Sequence, residues 1–84
     1  MRVINEKVVE GCKVTLYHWN NRYIIKLEHG LLEQTFKVSE FDVLDEAELL
    51  RLLDAEFVQQ ALNRFTDMGQ SIHAALERAQ DAGP

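Results

Sequence analysis

The sequence predicts an α+β fold: an antiparallel β-meander of three to four strands, followed by C-terminal helices packed on one of its faces. Three observations predict it. Two-residue turn signals, Asn20-Asn21 and His29-Gly30, separate runs of β-branched and aromatic residues that alternate with period two. Beyond Asp45 the period changes, and apolar residues recur every three or four positions from Leu49 to Ala79. A chain of 84 residues has room for one domain, spanning 1–84, with a sheet over about 2–38 and helices over about 46–53 and 55–80.

Residues 2–10 are rich in β-branched side chains but alternate imperfectly, with Val3, Asn5, Lys7 and Val9 on one side and Ile4, Glu6 and Val8 on the other. This pattern suits an edge strand, where charges discourage pairing with other chains. Gly11-Cys12 is the expected turn. Asparagine tolerates positive φ, so Asn20-Asn21 fits a type I′ turn, and a two-residue loop there pairs Trp19 with Arg22. The register then places Val14, Leu16, His18, Tyr23, Ile25 and Leu27 on one face. Lys13, Thr15, Tyr17, Trp19, Arg22, Ile24, Lys26 and Glu28 fall on the other. A slip by one residue would mix the two sets.

A second loop at His29-Gly30 would pair Glu28 with Leu31 and Lys26 with Glu33. It adds Leu32, Phe36 and Val38 to the apolar face, leaves Gln34 pointing inward in need of partners, and sets Arg22 against Lys37. In the helical half, Asp45 with Glu48 three residues on reads as an N-cap and capping box. One helix from 46 to 80 would run roughly 50 Å, against ~27 Å for a strand of eight residues. A break at Asp54 or Gly69, or an overhanging end, is therefore expected, and Gly83-Pro84 stops the helix. An overhang would leave Ile72, Ala75, Leu76 and Ala79 in need of a partner, the simplest being a second copy of the chain. The expected core sets Val14, Leu16, Tyr23, Ile25, Leu27, Leu32, Phe36 and Val38 against Leu49, Leu53, Phe57, Ala61, Phe65 and Met68.

Composition narrows the function classes. The formal net charge is −5, and the nine acidic and three basic residues of 42–84 make the helical half strongly acidic. Duplex nucleic acid and anionic membranes are poor partners for that half. Nothing approaches the ~20 apolar residues of a membrane span. The N-terminus has no apolar signal core, and the lone Cys12 fits a reducing compartment, so the expected location is cytoplasmic.

The chemistry-bearing residues are sparse. Cys12 and His29 fall near each other at a hairpin end but lack a third ligand. His18 reads as a hydrogen-bonded core histidine, and His73 is distant, so no metal site is expected. Asp45, Glu46 and Glu48, or Asp54 and Glu56, read as capping and solvated helix charge rather than an acid–base pair. No phosphate-binding or dinucleotide motif occurs, so no catalytic residue and no cofactor is expected.

The run Tyr17 to Glu28 (YHWNNRYIIKLE), followed by Leu32 to Val38 (LEQTFKV) and by Arg64, Phe65 and Met68, resembles a family of small bacterial proteins of about this length. That family has no assigned activity, so the resemblance implies a bacterial cytoplasmic setting and no mechanism. The surface left to explain is the outer sheet face, with Tyr17, Trp19, Arg22, Ile24, Lys26 and Lys37. These residue types are enriched in protein-binding hot spots. Aromatics among cations also suit single-stranded nucleic acid. The function expected is a non-catalytic protein-interaction module that self-associates, through the helix end or the sheet face. Single-stranded nucleic acid binding is the alternative, and the acidic balance weighs against it.

Overall fold

Four strands of eight residues form one open antiparallel sheet in sequence order: β1 (Arg2–Val9), β2 (Cys12–Trp19), β3 (Arg22–His29) and β4 (Leu32–Ser39). Two helices follow, α1 (Glu46–Arg51) and α2 (Ala55–Asp81). The structure, a computed structural model, describes residues 1–81. The expected stop at Gly83-Pro84 lies outside the described residues.

The β2–β3 register is the expected one, from Trp19 opposite Arg22 to Lys13 opposite Glu28. Asn20 and Asn21 both have positive φ, 56° and 63°, as a type I′ turn requires. The flanking hairpins differ from expectation. The first turn is Glu10-Gly11 rather than Gly11-Cys12, again with both residues at positive φ, and Cys12 opens β2 as a buried core residue. The third turn is Gly30-Leu31, not His29-Gly30. Only Gly30 has positive φ there (60°), the pattern of a type II′ turn, which wants glycine first. His29 therefore pairs with Leu32, Lys26 with Thr35 and Arg22 with Ser39.

This corrects the β3–β4 register by two residues, which leaves every side chain on its expected face. It also removes the expected clash, since Lys37 now lies opposite Ile24. In β1 the expected alternation is broken by a bulge at Ile4, between Val3 opposite Tyr17 and Asn5 opposite Leu16. The extra residue turns Val3 outward while Ile4 still packs against the core.

Asp45 caps α1 by accepting from the Glu48 amide (2.8 Å), and Glu48 reaches back to the Leu44 amide (3.0 Å) rather than to Asp45 itself. Asp54 accepts from the Phe57 amide (2.8 Å) and so starts α2. Of the two candidate break points, Asp54 is used and Gly69 is not, because Asp54 satisfies a free helix amide while Gly69 leaves the hydrogen-bond ladder intact.

The core joins Val14, Leu16, Ile25 and Leu27 to Leu49, Leu53, Ala61 and Phe65, with Cys12 included. Tyr23, Leu32, Phe36, Val38, Phe57 and Met68 pack around it and are partly exposed. Val43, in the link between sheet and helices, is also buried, which its surroundings in the sequence did not suggest.

Helix α2 runs antiparallel to β4. Phe57 meets Phe36 edge-on (centroids 5.3 Å apart), Ala61 lies at Gln34, and Gly69 lies against Leu32, the first residue of the strand. The inward Gln34 finds its partners here: its Nε2 donates to the Ala61 carbonyl (2.8 Å) and its Oε1 accepts from Arg64 Nε (2.8 Å). The Arg64 guanidinium also lies 5.6 Å from the Phe36 ring centroid. We expect Gln34→Ala to lower stability by about 1–2 kcal/mol, because it strips the Arg64 side chain of its acceptor and frees the helix from the strand. Urea unfolding measures this, and an unchanged midpoint would show that the contact contributes nothing.

Candidate functional site

Two surfaces answer to the sequence expectations: the open face of the sheet and the end of α2. The sheet packs on helices from one side only, so its other face meets solvent. By register its rows are Val3–Tyr17–Ile24–Lys37, Glu6–Thr15–Lys26–Thr35 and Val8–Lys13–Glu28–Glu33, with Trp19–Arg22–Ser39 at one end.

The six expected site residues do share this face, but they are not equally presented. Trp19 is 48% exposed, and Arg22 and Lys37 are exposed. Ile24 is only 8% exposed and forms the floor between its neighbours. Tyr17 and Lys26 are half-buried. The Lys26 ammonium is paired with Glu33 (3.4 Å), and Glu33, then Glu28, hold it above the ordinary lysine value. Neither Arg22 nor Lys37 has an acidic partner among the described residues. Among the described residues a cation–π contact is made by Arg64 on Phe36, on the other side of the sheet.

Thr15 is the unexpected member of this face. It is 1% exposed and its Oγ1 has no hydrogen-bond partner. It sits in the central row between Glu6 and Lys26, with the Lys13–Glu6 pair (3.8 Å) beside it. Long charged side chains cover small central residues in this way with their methylene stems. An orphaned buried hydroxyl is a cost, so Thr15→Val is expected to raise stability by up to about 1 kcal/mol. Thermal unfolding would show it, and a fall in the midpoint would mean that the hydroxyl is bonded.

The histidine and cysteine expectations resolve locally. His18 Nε2 lies 3.0 Å from Glu40 Oε2, half-buried, which is a structural pairing. The His29 ring tilts over Phe65 (5.7 Å between centroids). The Cys12 thiol is buried, and desolvation raises its pKa, so it stays in the unreactive thiol form. Among the described residues no three histidine, cysteine or carboxylate side chains are grouped to hold a metal ion. An open cleft between β1 and the start of α2, lined by Lys7, Val9, Leu53, Asp54 and Val58, has Asp54 already committed to capping.

The second surface is the tail of α2. Gly69 marks the end of the sheet, and Gln70 to Asp81 continue past it for ~18 Å. The molecule measures 55 × 27 × 19 Å, and its radius of gyration of 15.9 Å exceeds the roughly 12 Å of a compact chain this size. On the tail, Ile72 and Leu76 are half-exposed, Ala75 is partly covered and Ala79 is exposed, and none reaches the core. No buried residue of α2 lies beyond Phe65.

Sequence reasoning missed one further feature. Phe41 (88% exposed) and Leu44 (90%) lie in the link after β4, where the Glu40 amide donates to Asn21 O (3.3 Å). That bond brings the link to the β2–β3 turn, beside Trp19. Two large apolar residues in a short connection ahead of an N-cap were the available signal.

Comparison with known proteins gives no match: no family model, no curated protein and no solved structure matches this chain. The fold therefore defines its class, an α+β domain with an open antiparallel sheet and a C-terminal helix. No helix among the described residues is long and apolar enough to cross a membrane.

Proposed function

We propose that the chain is a non-catalytic protein-interaction module that self-associates. The observation that carries this reading is the tail of α2, where Ile72 and Leu76 recur at helical spacing beyond the sheet, half-exposed and covered by nothing among the described residues. A helix that ended at Gly69 would already cover β4. The extra turns add apolar surface in water, which is a cost unless another surface buries it. A bacterial cytoplasmic setting belongs to the same proposal and rests on the sequence runs alone.

Sedimentation from micromolar to millimolar concentration tests the reading. The wild type is expected to associate, and Leu76→Asp to weaken association roughly a hundred-fold, since each dimer loses two buried leucines. Leu76 lies past the sheet, so at concentrations dilute enough for the wild type to be monomeric the unfolding midpoint should hardly move. A wild type that stays monomeric throughout sinks the proposal.

A second reading has its own observation. Trp19 stands half-exposed opposite Arg22, with Lys37 in the next row of the same face, two cations without acidic partners among the described residues. An aromatic among free cations can stack on a base while holding phosphates, so single-stranded nucleic acid is the runner-up ligand. Titration with a short oligonucleotide at low salt should then quench Trp19 fluorescence, and added salt should reverse it. An unchanged spectrum at low salt removes this reading.

A further inference from the structure

We propose that the second copy docks along the free edge of β4, forming a continuous eight-stranded sheet with Thr35 on the two-fold axis and Glu33 of each copy opposite Lys37 of the other. This rests on the self-association reading and names its surface.

The two edges of the sheet are built differently. β1 carries a bulge at Ile4 and turns Asn5 and Lys7 toward the helix side, devices that spoil an edge for pairing. β4 has eight residues, no bulge in its pairing with β3 and no proline. No backbone hydrogen bond from another element covers it among the described residues. A long, regular and unprotected edge is the shape of an interface.

The turn decides which amides are free. Gly30-Leu31 is a two-residue loop, so His29 and Leu32 are the hydrogen-bonded closing pair. The alternation along the ladder then commits Leu32, Gln34, Phe36 and Val38 to β3. Glu33, Thr35 and Lys37 point their N–H and C=O groups outward at the edge. A second β4, related by a two-fold axis, can pair only in registers that match these outward groups.

Charge selects among those registers. An axis at Glu33 sets Glu33 against its own copy, and an axis at Lys37 does the same with two lysines, both repulsive. An axis at Gln34 or Phe36 leaves both charges unmatched. The axis at Thr35 gives two Glu33–Lys37 pairs and a threonine–threonine pair, while Leu32 meets Val38 and Gln34 meets Phe36 on the helix side. It is the one register that is favourable on both faces.

The same axis accounts for the helix tail. It brings the end of β4 in the second copy beside the Gly30-Leu31 turn of the first. That is the end past which the α2 tail projects, with Ile72 and Leu76 on it. Following Ser39 in the second copy come Phe41 and Leu44, the two most exposed large apolar residues of the link. Each tail is thus carried toward the apolar link of the other copy.

Charge reversal tests the pairing. Glu33→Lys alone sets lysine against lysine in both cross-copy pairs, and Lys37→Glu alone sets glutamate against glutamate. Each variant is therefore expected to dimerise at least about ten-fold more weakly than the wild type. In the heterodimer formed by an equimolar mixture of the two variants, both cross-copy pairs are again opposite in charge: the introduced lysine at 33 faces the introduced glutamate at 37, and the native Lys37 of the first faces the native Glu33 of the second. Native mass spectrometry should show this heterodimer in preference to either homodimer. Both positions are exposed, and far-ultraviolet circular dichroism confirms that each variant is folded. Single variants that dimerise as tightly as the wild type, or a mixture that stays monomeric, overturn the edge pairing. If the wild type dimerises while these charges prove irrelevant, the association reading stands and only the edge is excluded. A monomeric wild type removes both.

Discussion

A helix of 27 residues lies along strands of eight, and the rest of the structure follows from that mismatch. The first half of α2 has a sheet to cover, and there its side chains are buried: Val58, Ala61 and Phe65. The second half has none. The break at Asp54 does not remove the excess, because it sets aside only the short α1. What remains is a globular end and a projecting rod, joined without interruption at Gly69.

The contact that aligns helix and sheet is polar as well as apolar. Gln34 is the one polar side chain on the helix-facing side of β4, and it is held by the Ala61 carbonyl and by Arg64. An inward amide without partners would be a defect. With two partners it fixes where α2 lies along the strand, which apolar packing by itself leaves loose. The same arrangement carries Arg64 over Phe36, covering the aromatic ring at the rim of the core.

Parity explains why so much of the sheet could be read in advance. The β3–β4 register differed by two residues from expectation, yet the faces came out unchanged, because a shift of two preserves side-chain direction. Glycine could serve as first or second residue of its turn, and His29-Gly30-Leu31 offers no other local signal to choose between them. The choice matters for the edge of β4, where it decides which residues stand opposite Arg22 and which amides are committed to the ladder. The bulge at Ile4 was hidden for a related reason: Val3 and Ile4 are both β-branched, so the sequence does not mark which one interrupts the alternation.

By itself the sequence determined the architecture: a meander from its turn residues, the β2–β3 register from Asn20-Asn21, the cap at Asp45, and the apolar stripe with its surplus length. These are local properties, set by backbone conformation and side-chain period within a few residues. It also placed Tyr17, Trp19, Arg22, Ile24, Lys26 and Lys37 on one face. Only the tertiary structure decided how that face is presented, with Ile24 as floor, Thr15 sealed and unpartnered beneath charged neighbours, and Lys26 paired to Glu33. It alone showed that Gly69 meets Leu32, so that Ile72 and Leu76 lie beyond the sheet. The reason is physical: burial and overhang depend on which distant elements stop where, and no periodicity within one element carries that information.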